Sequence, residues 1–106
     1  MVANLKTTGE FDAAMKEAKV VIDFTATWCG PCKRIAPAYE KLAEKFPAIK
    51  FYKVDVDDNS ETAKAAGINA MPTFKFYLNG AAKDDLMIQG ASEAKLEENS
   101  QKLAGM

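Results

Sequence analysis

The feature that most constrains this chain is a junction. A β-branched, apolar run, Val20-Val21-Ile22-Asp23-Phe24-Thr25-Ala26, leads almost directly into Trp28-Cys29-Gly30-Pro31-Cys32 and then into a helical pattern. The run is apolar on both faces except at Asp23, as expected of a strand covered from both sides. Beyond the cysteines, Ile35, Tyr39, Leu42 and Phe46 recur at helical steps, predicting a helix to about Phe46, where Pro47 stops it. Pro37 falls inside that helix and is expected to kink it. A strand buried on both faces that feeds straight into a helix commits the chain to a layered α/β architecture.

The remaining segments fit that architecture. Thr7-Thr8-Gly9-Glu10 has the spacing of a helix-capping box, followed by Phe11, Ala14, Met15 and Ala18 on one helical face. Ile49 to Val56 reads as a second strand. Asp58 to Glu61 can cap a short helix over 62–66, ended by Gly67. Thr73 to Leu78 and a segment from Asp85 to Gln89 flank Asn79-Gly80, a turn signal that predicts a β-hairpin. Ser92 opens a last helix with Leu96 and Leu103 facing inward. Ser100 lies on the same stripe, so this helix is expected to dock less firmly. The element order is β-α-β-α-β-α-β-β-α, a mixed sheet of about five strands flanked by helices, four in number, on both faces. With 106 residues the chain has room for one domain, 1–106.

Composition excludes several function classes. The net charge of −1 and the lack of a basic block argue against a nucleic-acid or acidic-membrane partner. The first residues show no export signal, and Val20-Val21-Ile22 is too short to span a bilayer, so the default location is the cytosol, where stable structural disulfides are rare. A secreted chain stripped of its signal would look the same. With no histidine and only two cysteines, one chain cannot build the usual zinc site or a four-cysteine cluster, nor a catalytic arrangement needing histidine. Only a metal site shared between two chains stays open.

The two cysteines sit where a strand hands over to a helix. Free backbone N–H groups and the positive end of the helix dipole stabilise a thiolate at the first cysteine, and the thiolate is the reactive form. Pro31 in the first helical turn sacrifices no hydrogen bond. The spacing lets the sulfurs close a small ring, which is a weak staple but an exchangeable bond. A structural disulfide, half a metal site and two inert thiols are the bland alternatives; the strand–helix setting and the missing ligands favour redox chemistry. Asp23 is either the outward residue of an edge strand or a buried acid. Its apolar neighbours favour burial, which raises a carboxyl pKa and suits it to move the proton of Cys32.

Phe24-Thr25-Ala26-Thr27-Trp28-Cys29-Gly30-Pro31-Cys32-Lys33, with Pro37 downstream, resembles the thioredoxin family. The likeness extends over nearly the whole chain through Asp23, Lys53, Met71-Pro72-Thr73, Gly80 and Gly90-Ala91, and the run from Asp23 to Pro31 with Val54-Asp55-Val56-Asp57-Asp58 is closest to the eukaryotic cytosolic type. The resemblance implies a thioredoxin fold and a protein-disulfide reductase, with Cys29 the attacking and Cys32 the resolving thiol. It further implies Asp23 as acid–base, Gly30, Pro31 and Lys53 as residues that set the potential or pKa, and a cis Pro72. Met71 would then offer its backbone to an extended substrate, and Trp28, Gly90 and Ala91 would complete the docking surface. Taken alone, Lys53 reads equally as a surface lysine, Pro72 as an ordinary trans proline and Trp28 as core. No cofactor is expected on this chain: NADPH would be used by a partner thioredoxin reductase. The other partners implied are disulfide-containing proteins, met by a monomer.

Three features depart from the family pattern. Thr25 stands where many bacterial members carry tryptophan, extra regulatory cysteines are missing, and Ser100 interrupts the last helix. Two other functions compete with the reductase: an oxidase or isomerase with the same thiols, and a redox-independent binding subunit using the same surface.

Overall fold

Val20, Val21, Ile22 and Phe24 have no exposed surface, and the strand that carries them, β2 (Lys19–Thr25), lies inside the sheet. In the computed structural model, which describes residues 2–106, the other elements are β1 (Ala3–Asn4), α1 (Thr8–Ala14), α2 (Gly30–Lys45), β3 (Lys50–Asp55), α3 (Ser60–Ala65), β4 (Thr73–Leu78), β5 (Ala81–Ala82), β6 (Ile88–Gln89) and α4 (Glu93–Ala104). The sheet runs β1-β3-β2-β4-β5, with β6 also pairing with β4. The β1/β3 and β3/β2 ladders are parallel, and β4 is antiparallel to β2.

Alternation along β2 divides the core. Val21 joins Phe51, Phe74 and Phe76 beneath Ile35, Tyr39 and Leu42 of α2 and Leu96 and Leu103 of α4. Val20, Ile22 and Phe24 join Val54 and Tyr77 on the opposite face, covered by Ala14 and Ala63. The Tyr39 hydroxyl lies 3.1 Å from the Val21 carbonyl and 2.7 Å from that of Tyr52, which pins α2 over the β2/β3 ladder. Helix α2 runs through Pro37 as one element.

Several boundaries differ from the sequence expectation. Helix α1 stops at Ala14, so Ala18 lies outside it. Asn59 caps α3: its side chain accepts from the Thr62 amide at 3.4 Å and donates to the Leu5 carbonyl at 3.1 Å, closing the end of β1 onto the helix. The Asn79-Gly80 turn forms, with φ of 52° and 84° as this hairpin type requires. Its return strand is broken, however. After β5 the chain makes a single turn of 3₁₀ helix at Asp84–Leu86 before β6 rejoins β4 at Thr73 and Phe74. Asp84 and Asp85 are poor strand formers, and the turn lets Leu86 be buried. The strand count reaches six because that turn splits the return strand into β5 and β6, of two residues each.

Ser100 is completely buried in line with Leu96 and Leu103, and its Oγ has no hydrogen-bond partner. The expected flaw in α4 is thus a desolvated hydroxyl inside a closed interface. The helix is also tied down at its rim, where Asn99 donates to the Leu86 carbonyl at 2.8 Å, Lys19 to the Ala104 carbonyl at 2.7 Å, and Lys45 pairs with Glu97.

Candidate active site

Helix α2 begins on the cysteine motif. Cys29 is its N-cap, in extended backbone, and its Sγ accepts from the Cys32 amide at 3.3 Å. A cap is normally an oxygen that satisfies one of the free N–H groups of the first turn. Here sulfur occupies that place, where partial positive charge favours a thiolate. Gly30 and Pro31 follow as exposed residues of the first turn. The cysteines form a disulfide with Cα atoms 5.3 Å apart, inside the usual Cα–Cα range of such a bridge. Both are nearly buried, in a small cluster with Ala26, against which Val56 and Met71 pack.

Trp28 stands beside this pair with 65% of its surface exposed, so it is not a core residue. Its indole N–H donates to Asp57 Oδ2 at 2.9 Å. Asp57 is itself placed by a turn at the end of β3, where Asp55 Oδ1 accepts from the amides of Asp57 and Asp58 at 2.9 and 3.3 Å. On the other flank the Met71–Pro72 peptide is cis. Pro72 is buried and its carbonyl accepts from the Gly90 amide at 2.8 Å, bringing Gly90 and the exposed Ala91 to the same rim. Gly90 has φ of 110°, a region that side chains avoid, with no atom within 4 Å of the place a Cβ would take. Its glycine is required by backbone conformation alone.

Asp23 lies behind Cys32. Because β2 is an inner strand, the edge-strand reading of this acid does not hold, and only 4% of its surface is exposed. Its Oδ1 is buried without a hydrogen-bond partner. Burial pushes its pKa up to about 7, with the charge of Lys53 pulling the other way. Lys53 is the in-register neighbour on β3 and its side chain is exposed. Asp23, Cys32 and Lys53 line one open cleft of ≈ 480 Å³, together with Asn4, Thr25, Lys33 and Asp58. A carboxyl that titrates near neutrality beside a wet cleft can exchange protons with a thiol or with water. Among the described residues, no three histidine, cysteine or acidic side chains converge as for a metal ion.

All the residues singled out from the sequence therefore gather at the start of α2, with Asp23 and Lys53 on the cleft side and Trp28, Met71, Pro72, Gly90 and Ala91 on the rim. Asp57, which holds Trp28, and Asn4, which enters the cleft, were not among them. Asp57 had a signal in the acidic run after β3, but its partner is set by a turn that no periodicity records.

Comparison with known proteins agrees with this geometry. The family model described as Thioredoxin matches residues 2–102. A thioredoxin of Geodia cydonium is 59% identical over 105 residues, covering 96% of this chain and 98% of that protein. The solved thioredoxin of Plasmodium falciparum superposes with a TM-score of 0.91 at 41% identity, covering 95% and 98%. A structure from work on thiol resolution in a yeast mitochondrial peroxiredoxin by glutathione and thioredoxin systems superposes at 0.90 with 38% identity, covering 96% and 95%. The chain belongs to the thioredoxin family, and Cys29–Cys32 is the redox-active pair of a thiol–disulfide oxidoreductase.

Proposed function

We propose that this protein is a general protein-disulfide reductase, acting as a monomeric single domain over 1–106 in the cytosol. The observation that carries the residue roles is a helix-capping cysteine backed by a buried carboxyl that titrates near neutrality. In the reduced form the Cys29 thiolate attacks one sulfur of a substrate disulfide. The other substrate sulfur leaves as a thiolate, and a mixed disulfide joins Cys29 to the substrate. Cys32 then passes its proton to the Asp23 carboxylate and attacks Cys29 Sγ. The Cys29–Cys32 bond forms, the second substrate thiolate leaves, and Asp23 returns the proton through the cleft. The substrate disulfide is reduced to two thiols as the protein dithiol is oxidised.

Lys53 tunes Asp23 through its charge, and Gly30 and Pro31 hold the geometry that sets the potential. An extended substrate segment pairs with the Met71 backbone ahead of Pro72, against Trp28, Gly90 and Ala91, adding itself as a short strand. Backbone pairing on a flat apolar rim selects little, which suits many substrate proteins, peroxiredoxins of the kind studied with the yeast neighbour among them. Regeneration falls to a thioredoxin reductase that draws electrons from NADPH; this chain binds no cofactor of its own.

The test is reduction of a disulfide-bonded protein in the presence of NADPH and thioredoxin reductase. Cys29→Ser should abolish turnover. Turnover retained in that variant overturns the reading. A Cys29–Cys32 potential well above the cytosolic glutathione poise would reassign the protein as an oxidant.

A further inference from the structure

The buried side of α2 carries Cys32, Ile35, Tyr39 and Leu42, and of these only Tyr39 brings a hydroxyl. That hydroxyl donates to the Tyr52 carbonyl at 2.7 Å and lies 3.1 Å from the Val21 carbonyl. One proton is thus shared between two strands. Tyr52 is paired with Ile22, and the next step of the ladder pairs Asp23 with Lys53. Val21 and Asp23 point to the same face of β2, the face that α2 covers. The hydroxyl therefore meets the ladder beside Asp23. Burial first, and then the charge of Asp23, push the Tyr39 phenol well above its ordinary value. It stays protonated and keeps its hydrogen bond throughout the range in which Asp23 titrates.

We propose that Tyr39 is a positioning residue for the resolving step: its hydroxyl fixes α2 over the β2/β3 ladder, so that Cys32 stays aligned with Asp23. This rests on the acid–base role assigned to Asp23 above. Cys32 lies about two helical turns before Tyr39 on the same side of α2, and it shares its cleft with Asp23. The helix carries the thiol and the strand carries the carboxyl, so their alignment depends on where one element rests on the other. Ile35 and Leu42 hold α2 by apolar burial, which has no preferred direction and lets a helix slide or roll. A hydrogen bond to a strand carbonyl fixes distance and angle. It does so one ladder step from Asp23. The ring of Tyr39 is held separately, edge-on to Phe51 with centroids 5.4 Å apart and tilted against Phe74 at 5.5 Å. Losing the oxygen alone therefore leaves the packing in place.

The experiment mixes the reduced protein with an aromatic disulfide whose thiolate absorbs light. Cys29 attacks it and frees one aromatic thiolate in a first phase. Cys32 then attacks Cys29 Sγ and frees the second, as the dithiol becomes the Cys29–Cys32 disulfide. Tyr39→Phe should slow the second phase about tenfold, within the roughly hundredfold cost of a displacement of about 1 Å. The first phase should not change. Asp23→Asn should also slow the second phase, and Tyr39→Phe added to it should slow it no further. An unchanged second phase in Tyr39→Phe, equal slowing of both phases, or a further loss in the double variant each overturns the proposal. So does a slowing in Tyr39→Phe that Asp23→Asn does not share. If Asp23→Asn alone slows resolution, the acid–base reading stands and only the role of Tyr39 falls; if neither does, both fall. Neither phase involves a reductase, so the Cys29→Ser assay decides that reading separately.

Discussion

Asp23 on β2 and Ser100 on α4 break the same rule. Each is buried, and each has a side-chain oxygen with no hydrogen-bond partner. Their surroundings differ. Asp23 opens on a cleft shared with Cys32, whereas Ser100 is closed in with Leu96 and Leu103. Desolvating a carboxyl beside water and a thiol moves its titration to where proton exchange is useful. Desolvating a hydroxyl among leucines moves nothing into reach and only weakens the fold. A buried orphan thus reports on function when it has a route to the chemistry, and otherwise only on stability.

The sharpest break in that comparison is pH. Burial raises the Asp23 pKa from the ordinary carboxyl value of 3.8 to about 7 in the folded protein. With the folded value raised, the folded state binds more protons between those limits, so stability is complete below about pH 4 and declines as pH rises to about 7. The whole decline is about 4 kcal/mol. Asp23→Ala should remove it, giving a flat profile from pH 4 to 7 in urea unfolding and a more stable protein at pH 8. The same variant should slow resolution of a mixed disulfide more than its formation in stopped-flow traces. Equal slowing of both steps would leave Asp23 a structural acid.

A smaller gain is expected at Ser100. Ser100→Ala should stabilise by about 1 to 2 kcal/mol, equally at pH 5 and pH 8, with disulfide reduction unaltered. A pH-dependent gain would erase the distinction between the two sites. The smallest effect belongs to a polar contact that is satisfied and exposed. Asp57→Ala, which removes the acceptor of the Trp28 indole, should alter stability by no more than about 0.5 kcal/mol. It should still lower the fluorescence anisotropy of the tryptophan and raise KM for a protein disulfide. Unchanged anisotropy would show that the Trp28–Asp57 hydrogen bond does not hold the ring.

How much was legible follows from the range of each signal. Val20 to Phe24 announced an inner strand because both faces were apolar, and Cys29 to Cys32 announced a helix start because the cap, the proline and the following period lie within a few residues of one another. The break at Asp84–Leu86 was not legible, since Leu86 leaves the strand to fill a core position supplied by distant residues. Strands of two residues such as β1 carry no period at all. Within the site, the Trp28–Asp57 bond and the position of Asn4 depend on pairings across the chain.

The sequence by itself determined the chemistry: a dithiol at a helix start, no histidine, no further thiol to make a metal site within one chain, and one acid in an otherwise apolar strand. Such facts are local, because they depend on residue type and on neighbours along the chain. Only the tertiary structure decided that Asp23 and Cys32 share a cleft, that Lys53 stands between Asp23 and Asn4, and that Ser100 does not reach that cleft. Those relations are set by strand register and by which helix covers which face, and both come from burying the whole core at once.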